Sequence, residues 1–395
     1  MPSWVRIVAF LVPVFLLIGG IHFFVYRRMC AVFAPKGWAK VALAALLTSG
    51  PLCLVLGRTL ASGGAGPEWL IVGATVYGAI ETLAVVLAAA LLIPVAFGER
   101  LLAFAKRRPP SVTPELPRRE FLGQVTTGSA LFIAGGTSLH GGLFGRHDYR
   151  IEEIPIALPG LPRTLDGYSI VQLSDIHVGT FVQEPELRAA EALVRSARPD
   201  LIVMTGDLVD HDPAFAPKLG ALVRRLDGIA RDGVVAIPGN HDYYAGIEVV
   251  LGTLRGAGAK VLVNQGRVIG DRGGAFALLG VDDVWAARNG AGGPDLDRAL
   301  AMVPRDLPSV LLCHNPEFFP AAASRVGLQL SGHTHGGQIA FGINPAELVL
   351  PHGYVRGHYT RGTGQLYVNR GFGTAGPPSR IGSPPEITRV VLVSA

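Results

Sequence analysis

The sequence predicts two parts: a helical membrane module of about four helices over residues 1–145, followed by an α/β domain over residues 151–395. Apolar stretches long enough to cross a bilayer are confined to the first part. From about residue 151, short apolar runs alternate with amphipathic stretches, as they do in sheets packed with helices. Five of these apolar runs end in Asp, Asn or His, which predicts a functional site in the second part.

The composition indicates a membrane protein and excludes an ordinary soluble one. Of the 395 residues, 49% are hydrophobic and 16% are charged, whereas charged residues make up about a quarter of a typical soluble domain. Much of the net charge of +5 lies beside the apolar stretches, and basic and aromatic residues do not interleave in the second half. Nucleic acid is therefore not an expected partner. The three cysteines form no CxxC pattern and say nothing about the compartment.

Three segments are predicted to span the membrane: residues 7–26, 41–56 and 70–97. Residues 121–144 are a weaker fourth candidate, diluted by Gly, Ser and Thr. Lys and Arg are concentrated in the first and third loops, which the positive-inside rule places in the cytoplasm. We therefore expect a multi-pass protein of the cell membrane, whose domain after residue 145 is extracytoplasmic if the fourth segment crosses.

The segment 117–124, PRREFLGQ, resembles a twin-arginine export signal. Its internal position is unusual for such a signal, and an ordinary basic membrane flank is the alternative. Either interpretation sends the second part outward, provided that the fourth segment spans.

The second part repeats one pattern, in which an apolar strand is followed by side chains that can bind a metal. The strands occur in YSIVQLSDIHVG, DLIVMTGDLVD, VVAIPGNHD, SVLLCHNP and LQLSGHTH. The polar residues after them are, in chain order, Asp175, His177, Asp207, Asp210, Asn240, His241, His314, His333 and His335. Because ligand sites gather at the carboxyl ends of strands in such sheets, we expect these side chains to converge.

The types of side chain indicate the chemistry. Nitrogen and oxygen donors without a thiolate suit Mn, Fe or Zn alike. Leaving His241 and Asp210 aside, seven candidate ligands exceed the needs of one tetrahedral zinc, but they suit a pair of ions that share a bridging carboxylate. Asp175 and Asp207 offset only part of the charge of two divalent ions, so the site remains positive and suits a phosphate ester.

Together, these motifs resemble the calcineurin-like metallophosphoesterase family over residues 165–395. The strings GHTHGGQ and NRGFGTAGPPSRIGSPPEI are similar to membrane-attached or exported bacterial phosphoesterases within it. The resemblance implies a four-layer α/β/β/α sandwich with the site at strand ends. It implies one ion held by Asp175, His177, Asp207 and His335, and a second held by Asp207, Asn240, His314 and His333.

The resemblance also implies that a hydroxide between the ions attacks phosphorus. His241 then faces the leaving-group oxygen as a donor, and Asp210 orients His241. The third motif ends in Asp242 where many members have Glu, which should matter little for ligation. Arg370 and Arg380 are candidates for gripping a phosphate oxygen, and a surface role is the alternative for each.

The sequence thus predicts a membrane-anchored, metal-dependent phosphoric ester hydrolase acting on a phosphodiester or phosphomonoester. Lipid or cell-envelope intermediates are candidate substrates, and the lipid bilayer is an expected partner. The alternative is a transporter or sensor whose second part binds metal without catalysis. The full set of seven ligands and a single charged candidate within the membrane segments, Glu81, favour the enzyme. Neither the substrate, the native metal nor the oligomeric state follows from the sequence.

Overall fold

The computed structural model describes residues 3–62, 66–105, 116–271, 273–342 and 344–394. The chain divides into two compact units, Met1–Phe144 and Gly145–Ala395, here called the membrane unit and the C-terminal unit. The basic residues at 106–108, which contribute to the predicted orientation, lie outside the described residues, as do the side chains of both arginines in the 117–124 segment.

The membrane unit consists, in its described part, of four long helices. They are α1 (Ser3–Phe33), α2 (Trp38–Ser62), α3 (Glu68–Ala105) and α4 (Leu116–Leu143). Three stretches are long and apolar enough to cross a membrane: Val12–Phe33, Trp38–Gly57 and Glu68–Leu102. Helix α4 forms where the fourth segment is predicted, but its Gly, Ser and Thr content leaves it less apolar than the other three.

Small residues and a few polar bonds hold these helices together. At Gly78, a Cβ atom would lie 2.5 Å from the backbone nitrogen of Leu54, so glycine permits the close approach of α3 to α2. Arg28 on α1 donates to both the carboxylate of Glu99 on α3 and the hydroxyl of Thr127 on α4. Polar side chains of three helices thus pair with one another, as is usual for charged groups in membrane segments.

The C-terminal unit contains twelve strands in its described part. They are β1 (Arg150–Leu158), β2 (Tyr168–Leu173), β3 (Leu201–Thr205), β4 (Val234–Ile237), β5 (Lys260–Val261), β6 (Gln265–Asp271), β7 (Gly274–Gly280), β8 (Ser309–Leu312), β9 (Leu328–Ser331), β10 (Gly357–Arg361), β11 (Gly364–Val368) and β12 (Glu386–Ser394). Its helices are α5 (Glu184–Ala197), α6 (Ala216–Leu226), α7 (Asn240–Tyr244), α8 (Ile247–Gly256), α9 (Leu296–Leu300), α10 (Phe319–Ala322) and α11 (Pro345–Val349).

The strands form two six-stranded sheets. The first has the order β1-β12-β2-β3-β4-β5 and the second the order β10-β11-β9-β8-β7-β6. Strands β2, β3 and β4 are parallel neighbours in the first sheet, and β7, β8 and β9 are parallel neighbours in the second. Parallel neighbours end at the same edge, so the segments after them are brought together.

The buried side chains show how the sheets and helices pack. One core cluster combines residues of both sheets, including Ile170 and Val203 of the first and Leu278 and Val310 of the second. A second cluster packs helices α5, α6 and α8 against the first sheet, and a third contains α9 residues beside β7 and β8. The unit is therefore a mixed α/β structure in which apolar strands are buried on both faces.

Candidate metal centre

Tight turns at the ends of β2 and β3 bring the first candidate ligands together. The backbone nitrogen of Asp175 donates to the carbonyl of Gly206 over 3.0 Å, and that of His177 donates to the carbonyl of Asp207 over 3.0 Å. Gly206 has φ of +87°, and a Cβ atom there would lie 2.7 Å from the backbone nitrogen of Gly239. A side chain at position 206 would therefore clash where the loop after β3 meets the loop after β4, and only glycine fits there.

The first group of donor atoms comes from Asp175, His177 and His335, which offer ligand atoms within 4.8 Å of one another. The Nε2 atoms of His177 and His335 lie 3.0 Å apart, and Nε2 of His335 lies 3.5 Å from Oδ1 of Asp175. All three side chains are buried. One cation placed among these atoms could contact a carboxylate and two imidazoles.

The second group comes from Asp207, His314 and His333, again with ligand atoms within 4.8 Å of one another. Nε2 of His314 lies 3.2 Å from Oδ2 of Asp207 and 3.2 Å from Nδ1 of His333. The same Oδ2 atom of Asp207 is 3.7 Å from Nε2 of His177 in the first group. Asp207 therefore lies between the two groups and could contact an ion in each.

The residues present fit two divalent cations. Oδ1 of Asn240 is buried and has no hydrogen-bond partner among the described residues, which is costly for an amide unless another ligand satisfies it. The paired imidazole nitrogens in each group cannot both carry a proton at such short separations, whereas lone pairs on both suit a cation. Carboxylate, amide and imidazole donors match Mn, Fe or Zn.

Burial and neighbouring charges set the protonation of the ligands. Although burial opposes it, Asp207 and Asp175 raise the pKa of His314, so an ion bound there would replace the proton of His314. Burial and the charge of His314 lower the pKa of His333 to about 4. Burial and the nearby guanidinium of Arg380 hold the pKa of His335 well below its ordinary value. Both imidazoles are therefore neutral at pH 7 and can donate a lone pair. Although burial opposes it, interaction with His314 lowers the pKa of Asp207, which stays ionised.

His241 lies at the edge of these groups and keeps a quarter of its side chain exposed. Its Nδ1 donates to the backbone carbonyl of Asp210 over 2.7 Å, and its backbone nitrogen donates to Oδ1 of Asp207 over 2.8 Å. Burial lowers the pKa of His241, but hydrogen bonding to Asp210 and the charge of Asp207 outweigh it and raise the pKa to about 9. The ring is therefore held in place and charged at neutral pH.

Asp210 contacts His241 mainly through its main chain. Its Oδ1 lies 3.4 Å from Nδ1 of His241 and 3.5 Å from Nδ1 of His177, while Oδ2 lies 2.7 Å from Nδ1 of His211. His211 therefore also belongs to this cluster. The Asp210 carboxylate therefore lies near three imidazoles, those of His177, His211 and His241, rather than near His241 alone.

The two arginines proposed to bind phosphate are engaged elsewhere. Arg380 is 1% exposed and donates to several backbone carbonyls, and one of its nitrogens lies 3.1 Å from Nδ1 of His335. Arg370 is paired with Glu152 and lies 2.9 Å from Glu386. The donors of Arg380 are used within the protein, and Nε and Nη2 of Arg370 are paired with main-chain and carboxylate oxygens, so the role of either arginine in substrate binding stays a prediction.

Sequence reasoning missed two aromatic neighbours of the centre and the structural role of Asp242. Asp242 is buried and accepts hydrogen bonds from the backbone of Gly239, Leu208 and Val209, so it joins the loops that carry Asn240 and Asp207. The ring of Tyr244 lies 5.3 Å from that of His241, and the ring of Trp285 lies 5.5 Å from that of His333. The place of Asp242 at the end of the Gly-Asn-His-Asp motif could have indicated its role from the sequence. Tyr244 and Trp285 belong to no motif that could have indicated theirs.

The chain is similar to several metallophosphoesterases. The family model for calcineurin-like phosphoesterases matches residues 168–337, which contain all seven candidate ligands. An uncharacterized metallophosphoesterase of Bacillus subtilis, YkuE, is 32% identical over 71% of this chain and 99% of its own length.

Two further relatives are longer than the matched region. An uncharacterized metallophosphoesterase of Helicobacter pylori (strain J99) is 33% identical over 62% of this chain and 64% of its own length. A transmembrane protein with metallophosphoesterase domain from Danio rerio is 32% identical over 67% of this chain and 62% of its own length. The chain thus spans less than two thirds of these two relatives. With the Bacillus relative aligned almost end to end and the family model covering the convergent strand ends, this chain belongs to the calcineurin-like phosphoesterase family.

Proposed function

We propose that the chain is a membrane-anchored hydrolase of phosphoric esters that uses two divalent metal ions. The observation that carries this proposal is the position of Asp207, whose carboxylate lies within reach of imidazoles from both donor groups. Two ions at these groups would lie close together, as in enzymes that displace an oxygen at phosphorus.

One ion is assigned to Asp175, His177, Asp207 and His335, and the other to Asp207, Asn240, His314 and His333. Two ions so held supply positive charge for the phosphate oxygens and make a water molecule acidic enough to act as a nucleophile at neutral pH. The protein supplies two carboxylate charges and neutral donors, so the loaded site keeps a net positive charge. An anionic phosphate ester suits such a site better than a neutral ester does.

The role assigned to His241 is to donate a hydrogen bond or a proton to the leaving-group oxygen. Its Nδ1 is held by the carbonyl of Asp210, which leaves Nε2 as the other donor of the ring. A pKa of about 9 keeps that donor protonated at neutral pH. General acid catalysis by a positioned imidazole contributes roughly 10²–10⁴-fold.

We further propose that the substrate is a phosphodiester or phosphomonoester of a lipid or cell-envelope intermediate, and that the C-terminal unit is extracytoplasmic. Support comes from the three helices of the same chain that are long and apolar enough to cross a membrane. The positive-inside rule places the basic loop after the third of these helices in the cytoplasm, so the extracytoplasmic position also requires helix α4 to cross the membrane.

The test uses the full-length protein, purified in detergent, stripped of metal with a chelator and then supplied with Mn²⁺. Hydrolysis of bis(p-nitrophenyl) phosphate is compared with hydrolysis of p-nitrophenyl phosphate. Metal-dependent cleavage of the diester supports a phosphodiesterase, and cleavage of the monoester alone moves the assignment to phosphatases. Absence of metal-dependent cleavage of both, in protein that binds two ions, contradicts the proposed function and favours a transporter or sensor with a non-catalytic metal site.

A further inference from the structure

An apolar tip projects from the C-terminal unit beside the candidate metal centre. It consists of Leu348 and Val349 on helix α11, where Leu348 is 80% exposed and Val349 is 79% exposed. Among the described residues of this unit, the other exposed large apolar side chains lie between 37% and 55%. Both of the most exposed apolar side chains of the unit therefore sit on one short helix, α11.

The tip is fixed to the turn that carries two candidate metal ligands. Nδ2 of Asn344 donates to the carbonyl of Gly336 over 3.0 Å, directly after His335. At the other end of the segment, the hydroxyl of Thr334, between His333 and His335, donates to the carbonyl of Val355 over 2.5 Å. The segment from Asn344 to Val355 is thus bonded at both ends to the ligand turn.

Local bonds also hold helix α11 in its exposed position. The side chain of Asn344 caps the helix by accepting from the backbone nitrogen of Ala346 over 3.2 Å. Asn344 is itself buried, so the cap is part of the core while the helix is outside it. The capped helix therefore holds Leu348 and Val349 in contact with water. Their exposure is unfavourable, and a bound apolar partner would remove it.

Resting on the proposed function, we propose that the apolar tip inserts into the surface of the lipid bilayer and brings the metal centre to phosphate esters of membrane lipids. The bilayer is the partner because the same chain carries three helices that are long and apolar enough to cross one. Side chains at an interface of this kind enter roughly 5–10 Å, to the boundary between headgroups and acyl chains. Lipid phosphates lie near that level, and the turn that holds the tip carries two of the candidate ligands, so insertion of the tip would bring the centre towards them.

The first experiment compares two substrates with the same leaving group. Full-length protein is reconstituted into phosphatidylcholine vesicles, and hydrolysis of embedded phosphatidyl-p-nitrophenol is measured beside hydrolysis of soluble bis(p-nitrophenyl) phosphate. The double variant Leu348→Glu/Val349→Glu should cleave the lipid at least about tenfold more slowly, because burying two such side chains strengthens interfacial contact by more than this factor. Its rate on the soluble diester should stay within about twofold of the unmodified protein.

Met302→Glu is the matched control. Met302 is 55% exposed in the same unit, but it precedes the amino end of β8, whereas the centre lies at the carboxyl ends of the strands. This variant should leave both rates unchanged. Equal loss on the lipid in both variants would show a general effect of added charge and would overturn the proposal, as would an unchanged rate on the lipid in the tip variant.

A second measurement tests insertion of the tip into the bilayer without relying on catalysis. Leu348→Trp and Met302→Trp are each placed in vesicles that contain brominated phosphatidylcholine, which quenches tryptophan fluorescence on contact. The added emission of Leu348→Trp should be quenched and that of Met302→Trp should not. Equal emission from both excludes insertion, and a change of oligomeric state in the tip variant assigns the face to a second copy instead. If the unmodified protein cleaves neither substrate, the proposed function fails while the quenching result still stands.

Discussion

Replacing Arg380 by Met should destabilise the metal centre although no candidate ligand is replaced. The guanidinium is fully buried, and its donors reach backbone carbonyls in the segments that surround the centre. The accepting carbonyls belong to His335, Arg370, Gly371, Gly373 and Ser383. Burial lowers the pKa of Arg380 to about 9, which still leaves it charged at neutral pH. One cation therefore joins the ligand turn to the glycine-rich tail.

The loss of stability in Arg380→Met depends on which of these carbonyls also accept a hydrogen bond from a group other than Arg380. The carbonyl of Gly371 also accepts from the backbone of Glu386, and that of His335 accepts from the Ser383 hydroxyl. Within the described part of the chain, the carbonyls of Arg370, Gly373 and Ser383 receive no other hydrogen bond. Leaving these three buried acceptors unsatisfied costs about 3–9 kcal/mol, and removing a buried charge offsets part of this. We expect a net loss of about 3 kcal/mol.

The assay combines stability, metal content and kinetics on the full-length protein. A loss of this size lowers Tm by roughly 6–12 °C for a unit of about 250 residues. Arg380→Met should also bind fewer Mn²⁺ ions by mass spectrometry, since His335 loses its support. Arg380→Lys keeps the charge but lacks the planar fork, so it should recover only part of Tm. An unchanged Tm and metal content with a raised KM would refute this reasoning and return Arg380 to substrate binding.

The remaining predictions concern the centre itself. His241→Ala should lower kcat by roughly 10²–10⁴ while two ions stay bound, and an unchanged kcat would exclude His241 from the leaving-group step. Asp207→Asn should reduce the content of both ions and abolish hydrolysis, because its carboxylate lies between the two donor groups; retention of both ions would contradict the bridging assignment. In Gly332→Ala, the new Cβ would lie 2.1 Å from Oδ2 of Asp175, so hydrolysis should fall at least about tenfold. Gly252→Ala, where a Cβ meets open space, is the control and should hydrolyse normally.

The sequence contains enough to predict the family and the convergence of the candidate ligands. An apolar run followed by Asp, Asn or His is a local pattern, and parallel pairing of β2, β3 and β4 then brings the ends of the runs to one edge. The family prediction is confirmed by the match over residues 168–337. Patterns of this kind succeed because strand formation and site position follow from the same apolar periodicity.

Other features depend on contacts between segments that are far apart in the chain, and the sequence alone does not reveal them. Arg380 looks like a phosphate-binding side chain because charged residues are usually exposed, yet backbone carbonyls from two loops form a buried site for it. Asp242 is a further case, because its carboxylate bonds to main-chain groups of the preceding loop 33 and 34 positions away. Residue type predicts chemistry, but only the fold decides whether a donor or acceptor is still available.

The backbone of the centre is strained at the residues that carry the candidate ligands. Five of the seven candidate ligands have positive φ, from 50° to 72°: Asp175, His177, Asp207, His333 and His335. Such backbone costs about 1–3 kcal/mol per residue and persists only where the surroundings enforce it. Here the backbone nitrogen of His333 donates to the Asp175 carboxylate over 2.9 Å, and that of Asp175 donates to the loop after β3. Each strained turn is therefore held by hydrogen bonds to a neighbouring turn. The ligands of both donor groups depend on one another through the backbone, so displacing one turn should displace the candidate ligands on the next.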